Sequence, residues 1–171
     1  MLNKPAIAVD AALSLADYTS DALMLPQLRQ RDPAGVIQEL AQLLHQQARL
    51  PDLLPFYHAA LNREFLVSTA MDYGVAFPHA RLNGLTRLCF ALGRSDVPIP
   101  WGSQNAKMVW LVFLLAAPAT EAAGYLYIVS GLARLGKDPL LMDALRSAPD
   151  SAAMLAVLRQ VKLLHARGSA A

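Results

Sequence analysis

The apolar positions change period twice along the chain. Val36, Ile37, Leu40, Leu43 and Leu44 recur at helical spacing behind Asp32-Pro33, an N-cap followed by a proline at the first helical position, and predict a helix from Pro33 to about Gln47. Leu50-Pro51-Asp52 breaks the chain. Leu53, Leu54, Phe56, Tyr57, Ala60 and Leu61 then predict a second amphipathic helix ending near Arg63. Beyond it the period shortens: Gly74 to Pro78, Thr86 to Leu92 and Met108 to Leu115 are short apolar or alternating runs bounded by glycine, proline and aspartate, and read as three strands. Ala22 to Leu28, broken by Pro26, is a weaker first strand. Helical spacing returns with Leu126, Val129, Leu132, Ala133 and Leu135, with Gly136 as C-cap. Asp138-Pro139 opens a short helix to Ser147, and Asp150 opens a last one from Ser151 to about His165.

The run from Met108 is apolar on both faces, as a central strand covered by helices from each side must be. Together these elements predict an α/β fold: a single domain with a mixed sheet of roughly five strands, flanked by helices on both faces. Residues 1–21 are small and weakly patterned and read as an N-terminal extension, residues 22–165 as the folded domain and residues 166–171 as a frayed tail.

Composition narrows the function classes. A chain of 171 residues is enough for one full core and short for two domains. The net charge of +2 comes from scattered Lys and Arg, so no basic stripe offers a footprint for nucleic acid or an anionic membrane. Met108 to Pro118 is far shorter than the ~20 residues of a membrane-spanning helix, so no membrane insertion is expected. Cys89, the sole cysteine, lies among apolar neighbours and reads as a packing residue of a reducing compartment. The early Asp10 interrupts what a secretory signal would need, and a cytoplasmic location is predicted. His45 and His58 have no partner at metal spacing, and no nucleotide, dinucleotide or G-x-S-x-G fingerprint occurs, so neither a metal nor a cofactor is called for.

Of the four histidines, three fall in helical patterns, whereas His79 follows Phe77-Pro78 at the end of an apolar strand, in a rigid turn that offers its imidazole to solvent. A neutral imidazole is a good nucleophile near neutral pH, and its attack on a phosphoryl donor gives a labile N–P bond that can be passed onward. Such a transfer needs fixed donors and positive charge. Arg63 and Arg81 can supply the charge, and Ser68 and Thr69 can donate hydroxyl or backbone bonds. On spacing alone the plainer reading of the same residues is preferred: a surface histidine, two turn-capping hydroxyls and two solvated cations.

The segment Arg63-Glu64-Phe65-Leu66-Val67-Ser68-Thr69 through Gly74-Val75-Ala76-Phe77-Pro78-His79-Ala80-Arg81 resembles the active-site stretch R-E-x-x-x-S-T-G-x-G-N/E-G-I-A-I-P-H-G-R of a bacterial family. These are the enzyme IIA domains of the phosphoenolpyruvate-dependent phosphotransferase system, fructose/mannitol type, including its nitrogen-regulatory branch. Pro98-Ile99-Pro100-Trp101-Gly102 resembles the family's P-I-D-F/W-G turn, Leu111 to Pro118 its L-V-F-L-L-A-A-P strand, and Tyr125 to Leu135 its late helix. The resemblance implies a phosphotransferase component in which His79 accepts a phosphoryl group from the histidine-containing phosphocarrier protein. It further implies that His79 passes the group to an enzyme IIB domain or signals to a regulated partner, with Arg63 at the phosphate site.

The chain departs from the family pattern at Tyr125, where a second active-site histidine is usual, and at Ala70, Asp72 and Ala80, where glycines are usual. A tyrosine can donate one hydrogen bond to a phosphate but brings no positive charge at neutral pH. Two readings follow: a phosphocarrier using His79, Arg63 and Tyr125, or a regulatory binding module that keeps the fold and transfers weakly. Phe77, Tyr73 and Tyr125 are the candidate apolar rim for docking a partner.

Overall fold

The computed structural model describes residues 13–163. Strand β1 (Met24–Leu25) precedes helices α1 (Pro33–Gln46) and α2 (Leu53–Leu66); strands β2 (Val75–Ala76), β3 (His79–Leu82), β4 (Cys89–Trp101) and β5 (Lys107–Pro118) follow. Helices α3 (Ala122–Gly136), α4 (Pro139–Ser147) and α5 (Ser151–Arg159) complete the elements among the described residues. The five strands form one mixed sheet in the order β1-β4-β5-β2, with β3 continuing the β2 edge along β5. Only β4 and β5 are antiparallel; β1 runs parallel to β4, and β2 and β3 run parallel to β5.

Alternation along β5 explains the layering. Leu111, Phe113, Leu115 and Ala117 face one apolar cluster with Ile128, Leu132, Leu145, Met154 and Leu158 of α3 to α5. Val112, Leu114 and Ala116 face the other, with Ile37, Leu40 and Leu44 of α1 and Phe56 and Ala60 of α2. A strand buried on both faces must be apolar throughout, and β5 is the central strand that its composition predicts. The caps are also as read: Asp32 accepts from the Gly35 amide at 2.9 Å, and Asp138 accepts from Leu140 and Leu141 at 3.1 and 3.2 Å.

Several boundaries move. β4 starts at Cys89 rather than Thr86 and runs on through the Pro98–Trp101 stretch that was matched to a turn. Its ladder with β5 survives a register shift between Arg94 and Ile99. Prolines 98 and 100 are tolerated because β1 pairs only with Leu92 and Gly93, leaving that stretch of β4 as an edge. α2 continues to Leu66, α3 begins at Ala122, and α5 stops at Arg159. His165 lies outside the described residues. Gly136 is the last residue of α3 rather than a left-handed cap: the Tyr73 ring lies against its Cα, where a side chain would collide.

Within the stretch read as an extension, Leu15 is fully buried against α3 and α5, its amide donates to the Val161 carbonyl at 3.0 Å, and Ser14 bridges Lys162. Residues from 13 on therefore contribute to the core. Cys89 is buried on the α1–α2 face, and burial pushes its thiol pKa up, as befits a packing residue. Among the described residues no helix is long and apolar enough to cross a membrane.

Candidate functional site

Pro78 divides the strand expected over Gly74 to Pro78. It has no amide to donate to the ladder, so β2 ends at Ala76 and β3 begins at His79, opposite Leu115. Gly74 enables the entry to β2: its φ is +83°, and a Cβ there would lie 3.0 Å from the Trp110 ring. His79 is therefore a strand residue beside the central strand, not a turn residue, and it is only 7 % exposed rather than freely presented to solvent.

Three groups hold the imidazole. Its Nδ1 lies 3.1 Å from the Phe77 carbonyl oxygen. A carbonyl only accepts, so Nδ1 carries the proton and the neutral ring keeps its lone pair on Nε2. The Tyr125 hydroxyl, from the first turn of α3, lies 3.1 Å from Nε2, with the two rings tilted at 4.9 Å between centroids. The Phe77 ring is stacked with the imidazole at 6.1 Å between centroids.

Arg63, Arg81, Ala59 and Ala80 complete a shallow cleft with His79 and Tyr125. Arg63 is tethered by a 2.9 Å bond to the Val67 carbonyl, and Arg81 by a 3.1 Å bond to the Ala119 carbonyl. Both guanidiniums keep further N–H groups for an anion.

The electrostatics suit a nucleophile. Burial holds the His79 pKa below its usual 6.5; the charges of Arg63 and Arg81 act in the same direction, while the Phe77 carbonyl and Glu64 oppose it. Tyr125 is pushed above 10.0 by burial, against the pull of the same two arginines, so its hydroxyl stays protonated and available as a donor.

Of the six residues singled out from the sequence, the fold brings His79, Arg63, Arg81 and Tyr125 together. Ser68 and Thr69 are placed elsewhere. Ser68 lines a separate, larger cleft with Trp101, Gly102 and Lys107, and its hydroxyl accepts from the Ala70 amide at 3.2 Å. Thr69 is buried, donating its hydroxyl to Glu64 at 2.7 Å and accepting from the Phe77 amide at 3.1 Å. As a direct phosphate ligand Thr69 is therefore displaced by a structural task. Tyr73 likewise leaves the expected rim to pack on Gly136, whereas Phe77 and Tyr125 flank the histidine.

Glu64 is the residue whose part in the site the sequence did not disclose. The signal was present: Phe56, Ala60 and Glu64 form the buried stripe of α2, and a carboxylate in that stripe demands partners. Asp72, one of the departures from the family pattern, pairs with Lys107 at 3.0 Å.

A buried histidine beside two arginines on this α/β sheet is the arrangement the structure presents, and the comparisons with known proteins agree on the family. The sequence model of the family described as "Phosphoenolpyruvate-dependent sugar phosphotransferase system, EIIA 2" matches residues 20–161, and the chain belongs to that family. Within it the chain is of the nitrogen-regulatory type: it is 33% identical over 150 residues to a nitrogen regulatory protein of Bradyrhizobium diazoefficiens, covering 85% of this chain and 95% of that one.

The fold is shared with the nitrogen regulatory protein IIA-Ntr of Neisseria meningitidis (TM-score 0.72, 22% identity, 84% of this chain and 98% of that one). It is shared also with the enzyme IIA mannitol of Escherichia coli in complex with phosphorylated enzyme IIB (TM-score 0.68, 14% identity, 81% and 95%). Among the described residues no group of three His, Cys, Asp or Glu side chains could hold a metal ion.

Proposed function

We propose that this protein accepts a phosphoryl group on His79 Nε2 from the phosphohistidine of the histidine-containing phosphocarrier protein, and that phospho-His79 is then read by, or passed to, a partner. The observation that carries the reading is the Nδ1 bond to the Phe77 carbonyl, which leaves Nε2 as the one nucleophilic nitrogen facing a cleft with two guanidiniums.

In the transfer, the Nε2 lone pair forms the new N–P bond as the donor's N–P bond breaks, and the departing imidazole recovers its lone pair. The Nδ1 proton stays in place, where the Phe77 carbonyl stabilises the positive charge that develops on the ring. Arg63 and Arg81 stabilise the equatorial phosphoryl oxygens. Tyr125 leaves Nε2 as phosphorus arrives and turns its proton to a phosphoryl oxygen. An enzyme IIB domain is one candidate recipient, since the related mannitol protein is found in complex with one; a regulated protein of the cytoplasm is the other, in keeping with the nitrogen-regulatory relatives.

Incubation with phosphoenolpyruvate, enzyme I and the phosphocarrier protein should add one acid-labile phosphoryl group by mass, and none in His79→Ala. No gain in the wild-type chain, with a carrier active on another acceptor, would remove this reading and leave a binding module.

A further inference from the structure

The Glu64 carboxylate is buried, and its three hydrogen bonds all come from uncharged donors: the Trp101 indole at 2.7 Å and the Thr69 amide at 2.8 Å to Oε1, and the Thr69 hydroxyl at 2.7 Å to Oε2. Such a group is a weak source of stability, because an apolar replacement of similar volume escapes its desolvation cost. The network has a direction, however. A hydroxyl has one proton, and a carboxylate is the strongest acceptor in reach, so Thr69 Oγ1 spends its proton on Glu64 and can only accept elsewhere. It accepts from the Phe77 amide at 3.1 Å. The residue before a proline is confined to extended backbone, so pinning the Phe77 N–H also fixes where its carbonyl points. That carbonyl receives His79 Nδ1.

We infer that Glu64 is a positioning residue for His79: through Thr69 and Phe77 it fixes the proton on Nδ1 and thereby presents Nε2 as the reactive nitrogen. The inference rests on the proposed phosphoryl acceptance for its consequence, but not for its geometry. In Glu64→Gln the side-chain amide faces Thr69 Oγ1 with a donor, so the hydroxyl loses its acceptor and Oγ1 is shared between that amide and the Phe77 N–H, which loosens the hold on Phe77. Trp101→Phe removes one bond to Glu64 and leaves the relay intact, so it serves as the structural control. The anion itself also acts on the imidazole, raising its pKa against the effect of burial.

The test is the tautomer of His79, read from two-bond ring nitrogen–proton couplings in the full, 15N-labelled, unphosphorylated chain above the imidazole pKa. Tyr125 donates to Nε2 and favours the same tautomer, so each variant is also measured in Tyr125→Phe. Expected is a predominantly Nδ1–H ring in wild type and Trp101→Phe, and at least a threefold larger Nε2–H share in Glu64→Gln. The rate of phosphoryl acceptance should fall about tenfold with little change in the donor concentration needed for half-saturation. An unchanged tautomer in Glu64→Gln in both backgrounds overturns the inference. Should Glu64→Gln not fold, Thr69→Val must shift the tautomer and Thr69→Ser must restore it, and the reverse result is equally decisive. If wild type accepts no phosphoryl group, the proposed function fails while the tautomer comparison still decides the role of Glu64.

Discussion

Replacing Tyr125 by phenylalanine removes one oxygen atom from the His79 cleft and sets two opposed effects against each other. In the resting protein the hydroxyl lies 3.1 Å from Nε2, a neutral hydrogen bond of about 1 kcal/mol net that must be given up when phosphorus reaches the nitrogen. Against the phosphoryl oxygens the same hydroxyl makes a charge-assisted bond of about 1.5–3 kcal/mol. The transition state thus keeps a surplus of roughly 1 kcal/mol, and its loss in Tyr125→Phe corresponds to about fivefold slower acceptance. The assay is quenched-flow mass spectrometry of the phosphorylated fraction at limiting donor. A variant faster than wild type would refute the reasoning, because the hydroxyl would then be an obstruction and not a donor to the phosphoryl group. A loss of a hundredfold or more would contradict it from the other side, since one neutral hydroxyl cannot supply that much.

Three further predictions concern the scaffold and the pH response. Arg94 donates from Nη1 to the carbonyls of Leu145, Arg146 and Ala148 at 2.9, 3.2 and 2.7 Å, and from Nε to Pro26 at 3.0 Å. Arg94→Leu strands the end of α4 and should lower unfolding free energy by about 2–4 kcal/mol, read as a lower urea midpoint; an unchanged midpoint contradicts this. Gly136→Ala puts a methyl group where the Tyr73 ring lies, so despite alanine's better helix propensity it should destabilise the fold by about 1–3 kcal/mol, with Tyr73→Ala relieving the clash in a double-mutant thermal melt. His79 is held below 6.5, chiefly by burial; the unfolded chain therefore binds the proton more readily, and the stability that His79 contributes is complete above 6.5 and lost as pH falls through the folded value. Phosphoryl acceptance should persist below pH 6.5 on the same grounds, and an NMR titration midpoint at or above 6.5 would contradict both statements.

How much was legible in the sequence follows from how local each determinant is. The starts of α1 and α4 were readable because Asp32 and Asp138 each precede a proline and cap amides within three residues. The central position of β5 was readable because burial on both faces leaves only apolar residues. By contrast, the extension of β4 to Trp101 depends on a ladder with β5 that resumes after a bulge, and nothing in Val97-Pro98-Ile99-Pro100 announces it. His79 carried its chemistry in its neighbours, Pro78 and Arg81, but its burial depends on Phe77 and on Tyr125, 46 residues away in the chain. The bonds of Thr69 were hidden for the same reason: a serine-threonine pair before a histidine fits an anion cradle, and only the folded α2 brings the Glu64 carboxylate to the threonine hydroxyl. Register with a family pointed to His79, Arg63, Arg81 and Tyr125, which the fold brings to one cleft, while the tasks of the hydroxyl residues are set by the tertiary structure.

The most direct test is the position of the phosphoryl group on the His79 ring. Phosphorylated protein labelled with 15N in its histidines should show phosphorus bonded to Nε2 of His79, with Nδ1 still protonated and donating to the Phe77 carbonyl. Phosphorus on Nδ1, or on a residue other than His79, would contradict the assignment of Nε2 as the nucleophile.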